Sequence, residues 1–249
     1  MTLALCAESL RAGDPDRFAA VMAARPGDRA RLVTLYAANL AVARAALASA
    51  EPLISEMRLQ WWADQIAAMG QGGAPAGHEI ATPLFAAWGA GIAPLATLIE
   101  ARRRDTRRQP PAGAGEVLAH VEGCTGTVMR LAAMACGHDP QSALLRDQAR
   151  GAGLAAWLGA YPRLRALNLG LADDSPAVLG DLAGQGLRAL DSARAARPRP
   201  DRRAAPALYA GAGARAILTG AAAGDFIQVS DFKRKLSHTL LAFAGRWQG

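Results

Sequence analysis

The chain has 249 residues, 51% of them hydrophobic and 5% aromatic, enough to bury one sizeable core and too apolar for a mainly disordered protein. Its 28 Lys and Arg against 21 Asp and Glu leave a net charge of +7, which keeps phosphate-bearing partners in view: nucleic acid, anionic lipid or a diphosphate. Lys233 and Lys235 are the only lysines, so the charge is nearly all arginine, as biased composition alone would also produce.

Met1 to Cys6 is apolar but short for a signal sequence and is followed by Glu8, Arg11 and Asp14, so export is not expected. Cys6, Cys124 and Cys136 are odd in number and lack CxxC spacing, which argues against a disulfide framework or a zinc site and for a reducing compartment, the cytoplasm. Alanine and leucine dominate the apolar residues, and β-branched residues never alternate as half-buried strands require. Asp28 to Leu47 places Leu32, Leu35, Tyr36, Leu40, Ala43 and Leu47 at steps of three and four, the spacing of a helix with one face inward. After Glu51 and Pro52, Leu59, Trp62, Ile66 and Met69 repeat the pattern, and the two helices should pair as a hairpin.

Gly70 to Gly77 and Pro110 to Gly115 read as loops. Between them Ile80 to Ile99 is uncharged but interrupted by Pro83, Gly89, Gly91 and Pro94, so two short buried helices are expected rather than a membrane span. The arginines from Arg102 to Arg108 should form a solvated helix end, and without interleaved aromatics they do not suggest nucleic acid. Glu116 to Gly137 carries Gly123, Thr125 and Gly126 at its middle, where helices can approach closely. Leu144 to Asn168 should bend near Gly159 and Pro162. Helices are expected over Ala177 to Ala195, Ala205 to Ala223 and Ser230 to Trp247, with an Arg/Pro linker at Arg197 to Arg203. The expectation is a single all-α domain over residues 1–249, a closed bundle of about eight helices.

Motifs that would carry chemistry outright are scarce. There is no phosphate loop, GxSxG or HExxH, and His78, His120, His138 and His238 are scattered. Four segments nevertheless form a pattern: Leu35-Tyr36-Ala37-Ala38-Asn39-Leu40, Glu56-Met57-Arg58-Leu59-Gln60-Trp61-Trp62, Gly126-Thr127-Val128-Met129-Arg130-Leu131 and Gly153-Leu154-Ala155-Ala156-Trp157-Leu158. Over roughly Asp14 to Asn168 the order of these segments resembles the squalene/phytoene synthase family. The resemblance implies an isoprenoid (terpenoid) synthase fold whose central cavity holds prenyl diphosphates through magnesium on two aspartate-rich helical motifs.

Carboxylates at i and i+4 share a helix face, so two facing helices can hold hard cations against a diphosphate. This chain departs from that pattern. Where the first aspartate motif would follow the Leu-Tyr-Ala element stand Ala43, Arg44 and Leu47, and where the second would follow the Gly-Leu-Ala helix stand Leu164 and Asn168, with Arg163 retained. No two of the 21 Asp and Glu residues are three or four positions apart. Asp173 and Asp174 are adjacent and precede Ser175-Pro176, a loop and helix start where Asp caps backbone donors.

The candidate cavity and anion-binding residues are Tyr36, Arg44, Arg58, Arg163 and Asn168; if Arg44 and Arg163 line the former metal cavity, anions bind there without magnesium. Trp61 and Trp62 read as core, or as a platform for a prenyl chain or quinone. The first functional reading is a non-catalytic family member with no catalytic residue, metal or cofactor, binding an isoprenoid lipid or aiding respiratory complex I assembly. That role belongs to the branch it resembles in its Gln-Trp-Trp segment and lost aspartates. The second is an active prenyl transferase joining isoprenoid diphosphates head to head through a diverged magnesium site. A lipid- or RNA-binding helical module rests on charge alone. In the last helix Phe232, Leu236, Leu240, Phe243 and Trp247 recur beside Lys233, Arg234, Lys235 and Arg246, which fits either bundle closure or peripheral attachment to the anionic inner membrane.

Overall fold

A computed structural model describes residues 2–248, and among these are fourteen α-helices and no strand. Two short helices open the chain, α1 (Leu3–Gly13) and α2 (Pro15–Ala23). Asp14 sits between them, and its side chain accepts a hydrogen bond from the Arg17 backbone N–H at 3.0 Å, which caps α2 while Pro15 fills the first helical position. Then come α3 (Pro26–Ala46) and α4 (Pro52–Gly70), both begun by proline and in contact with each other, as their spacing predicts. Burial on α3 is wider than one face. From Leu32 to Asn39 every residue is buried, because the alanines let neighbouring helices close in on all sides.

The uncharged stretch folds as α5 (Ala81–Trp88), a 3-10 turn (Gly89–Leu95) and the start of α6 (Ala96–Arg107). Residues Ala81–Arg107 are long and apolar enough to cross a membrane by composition. In the fold they turn through Gly89 at φ 53° and bury Leu84, Ile92, Leu95, Leu98 and Ile99 in the main core. Next, α7 (Ala114–Val121) passes through a π turn (Glu122–Gly126) into α8 (Thr127–Ala135). The small residues act as expected: a methyl at Gly123 would lie 2.6 Å from Ala101 Cβ, so α6 and the π turn are in direct contact.

Ser142 caps α9 (Ala143–Gly159), which breaks at Ala160 before α10 (Tyr161–Ala166), and α11 (Pro176–Ala195) packs along α9. The expected single helix over 205–223 is two: α12 (Ala205–Leu208) and α13 (Ala214–Ala222). Gly211 and Gly213 take φ of 89° and 70° between them, left-handed conformations that end a helix. The last helix is α14 (Asp231–Ala244), capped by Ser230 and packed on α2. One core gathers α1 to α6 with α8, α12 and the first part of α9; a second, smaller one gathers α7, the rest of α9, α10, α11 and α13.

The apolar stripe at the last helix is divided: Leu240 is half-buried and Trp247, just beyond the helix, packs against the main core, while the other three residues face outward. Ser237 and Leu241 are the buried residues of α14, while Phe232, Leu236 and Phe243 are 75%, 48% and 79% exposed. The helix is anchored through Leu241, which enters the main core, and through polar groups. Asp16 on α2 accepts hydrogen bonds from His238 Nε2 at 2.7 Å and from the Ala212 backbone N–H at 2.9 Å, with Arg234 Nε 3.7 Å away.

Candidate functional site

The five residues singled out in the sequence do not converge on one site. Arg44 on α3 and Arg58 on α4 are exposed and line the same surface groove of about 580 Å³ with Trp61, Trp62 and His78. Trp61 stands edge-on to Trp62 at 5.1 Å and 4.7 Å from the His78 ring; Trp62 is buried and Trp61 half-buried. Arg163 is exposed on α10. Asn168 follows it at φ 59° and donates its side-chain N–H to the Arg108 carbonyl at 2.7 Å. Tyr36 alone of the five lines the interior cavity between α2, α3, α8 and α9.

That interior cavity, about 190 Å³, carries Asp14, Asp16, Arg17 and Tyr36 on its polar wall. Arg17 donates to Asp14 at 2.8 Å and lies 5.6 Å above the Tyr36 ring, a cation over an aromatic face. Burial pushes the Tyr36 hydroxyl well above its ordinary pKa, so it stays protonated at every physiological pH.

A second chamber of about 170 Å³ adjoins the first, sharing Thr125 and Ala156 in its wall. It holds residues that composition had assigned to solvent. Arg102 donates through Nη1 to the buried Asp105 at 3.0 Å, and Arg104 lies 3.8 Å from the other carboxylate oxygen. Arg103, on the opposite side of the helix, pairs with Glu56 and Glu100. The basic run is therefore largely ion-paired rather than solvated. His120 on α7 has Nδ1 3.1 Å from the Ala101 carbonyl and Nε2 4.0 Å from Asp105. A carbonyl only accepts, so Nδ1 carries the proton and Nε2 presents a lone pair. Cys124 in the π turn has its Sγ 3.8 Å from that nitrogen. Burial lowers the His120 pKa to about 4 and raises that of the Cys124 thiol, so both are neutral near pH 7.

A squalene/phytoene synthase family model matches residues 10–158 of the chain. The chain belongs to this family. Among solved structures, a dehydrosqualene synthase crystallised in complex with ligand is similar at a TM-score of 0.72 and 13% identity, covering 95% of this chain and 94% of its own. That likeness assigns the all-α isoprenoid synthase fold. A comparison with curated proteins finds no match.

The resemblance implies magnesium held on facing aspartates, and the residues that the sequence pattern sets at those positions do not fit the ion. Ala43, Leu47 and Leu164 carry no side-chain ligand atom and Arg44 is cationic, which leaves the amide oxygen of Asn168 as a lone ligand atom at these positions. Magnesium wants several oxygen ligands near octahedral geometry. Among the described residues no three His, Cys, Asp or Glu side chains group so as to hold a metal. The groups that do face the interior, Arg17, Arg102, Arg104 and the neutral Tyr36 and His120, are suited to binding anions and hydrogen-bond acceptors.

Proposed function

We propose that this squalene/phytoene synthase-like protein is non-catalytic and works at the inner membrane, aiding respiratory complex I assembly as a scaffold that retains the synthase fold. The observation that carries this reading is the state of the interior. Farnesyl diphosphate has about two dozen heavy atoms, and at roughly 20–30 Å³ each one molecule needs on the order of 500–700 Å³. The two chambers offer about 190 and 170 Å³; the groove of about 580 Å³ is open at the surface and lined by Arg44 and Arg58, and Arg44 stands where ionisation would need a carboxylate. The Gln60-Trp61-Trp62 segment and the lost aspartates, shared with the branch associated with complex I assembly, support the scaffold role.

Membrane attachment rests on α14. Phe232, Leu236 and Phe243 project outward beside Lys233 and Lys235, the only two lysines of the chain, the layout of a helix lying in an anionic interface. Purified protein supplied with magnesium and farnesyl or geranylgeranyl diphosphate should release no pyrophosphate; magnesium-dependent release would show an active transferase instead. In vesicle sedimentation with anionic lipid, the wild type should pellet less as salt rises. Phe232→Ser with Phe243→Ser should leave the protein in the supernatant, and equal pelleting of the variant would remove the membrane role.

A further inference from the structure

The second interior chamber reaches the two lost aspartate motifs, since Leu47 and Leu164 line it, but its polar wall comes from residues that neither the family pattern nor the scaffold reading uses. Three elements bring its polar wall together: α6 supplies Arg102, Arg104 and Asp105, α7 supplies His120, and the π turn supplies Cys124. A π turn inside a helix re-aims its side chains and recurs at functional sites. The opposite wall is apolar, with Trp157, Leu164 and Leu169.

The charges in this wall do not cancel. Arg102 and Arg104 bring two cations and Asp105 one anion, while His120 and Cys124 are neutral near pH 7. Arg102 is also short of acceptors: Nη1 is engaged by Asp105, but Nε is buried without a partner. Both arginine side chains keep about a quarter of their surface accessible, 23% and 24%, and both line the chamber. A site with one surplus positive charge carried by two partly accessible guanidinium groups favours one negative charge with acceptor oxygens.

Size narrows the ligand. A cavity of about 150 Å³ accepts a benzene-sized molecule, and this chamber measures about 170 Å³. We propose that it binds a small organic monoanion, a carboxylate of about seven to nine heavy atoms in all with a compact apolar body. The carboxylate lies against Arg102 and Arg104, and the apolar body against Trp157 and Leu164. Site and ligand are independent of whether the protein touches a membrane or an assembly partner.

Calorimetry on the full chain tests this with benzoate, isovalerate and hexanoate as probes, and with benzamide and inorganic phosphate as comparators. At least one carboxylate should bind with one-to-one stoichiometry, and benzamide, which keeps the ring and loses the charge, at least tenfold more weakly than benzoate. Ala156→Leu places a larger side chain at a wall position that faces open space and leaves the charged residues in place; it should weaken carboxylate binding tenfold or more while the melting temperature stays within a few degrees. Arg104→Met should weaken binding without the filling effect. The proposal is overturned if all three carboxylates fail to bind at low millimolar concentration, or if phosphate binds more tightly than any of them. It is also overturned if Ala156→Leu, folded by its melting curve, binds as well as the wild type.

Discussion

Acidification should destabilise this protein through His120 in a window set by its burial. In the folded chain the imidazole has a pKa of about 4, against 6.5 for the ordinary side chain. Burial is the main cause; Asp105 opposes it, and Arg102 and Arg104 add to it. Because the folded pKa lies below the unfolded one, the unfolded chain binds the extra proton between these values. The stabilising contribution is complete above pH 6.5, falls as pH drops toward 4, and levels off below that. Integrated from pH 7.5 to pH 5, the loss is about 2 kcal/mol. Acidification acts on the whole chain, so the measurement is a difference: urea unfolding at both pH values for the wild type and for His120→Asn. The asparagine amide can replace the Nδ1–H donated to Ala101 but takes up no proton. The variant should lose about 2 kcal/mol less than the wild type on acidification. Equal losses would mean that His120 is already charged or solvated in the native state, and the neutral tautomer assigned from its bond to Ala101 would be wrong.

Leu35 is fully enclosed on α3, so Leu35→Ala should cost roughly 2–5 kcal/mol in denaturant unfolding; a change below about 0.5 kcal/mol would be a surface response and would contradict the packing. At Gly153 an added methyl would collide with Val121 Cγ1 and press on Thr125, so Gly153→Ala should destabilise by about 1–3 kcal/mol despite its better helix propensity. A stabilised variant would show that α7 and α9 have room to part.

The long periodic helices were legible because apolar steps of three and four survive any context, and α3, α4 and α11 begin within two residues of their expected starts. The split between α12 and α13 was not, since alanine-rich sequence on both sides hides a break that only Gly211 and Gly213 mark. The family pattern was readable from four short segments, and so was its missing carboxylate pair. The chamber on α6 was not read, because a run of arginines suggests solvent. Two local signals pointed inward: Arg102 and Asp105 are three apart and pair on the helix, and His120 and Cys124 are four apart on one face. Charge counts carry no such register; spacing between opposite charges does.

The junction at Asp16 bears on how α14 meets any surface. A free peptide of this sequence would have to fold as it adsorbed, and fixing one residue's backbone costs on the order of 1–2 kcal/mol. Here His238 and Arg234 reach Asp16 and Ser230 caps the helix, so its 14 residues are ordered before any encounter. The two phenylalanines are presented at fixed separation on a rigid rod, and docking sacrifices side-chain freedom alone. A rigid rod also accepts curvature poorly: its contact is fullest on a surface that is flat over the length of the helix.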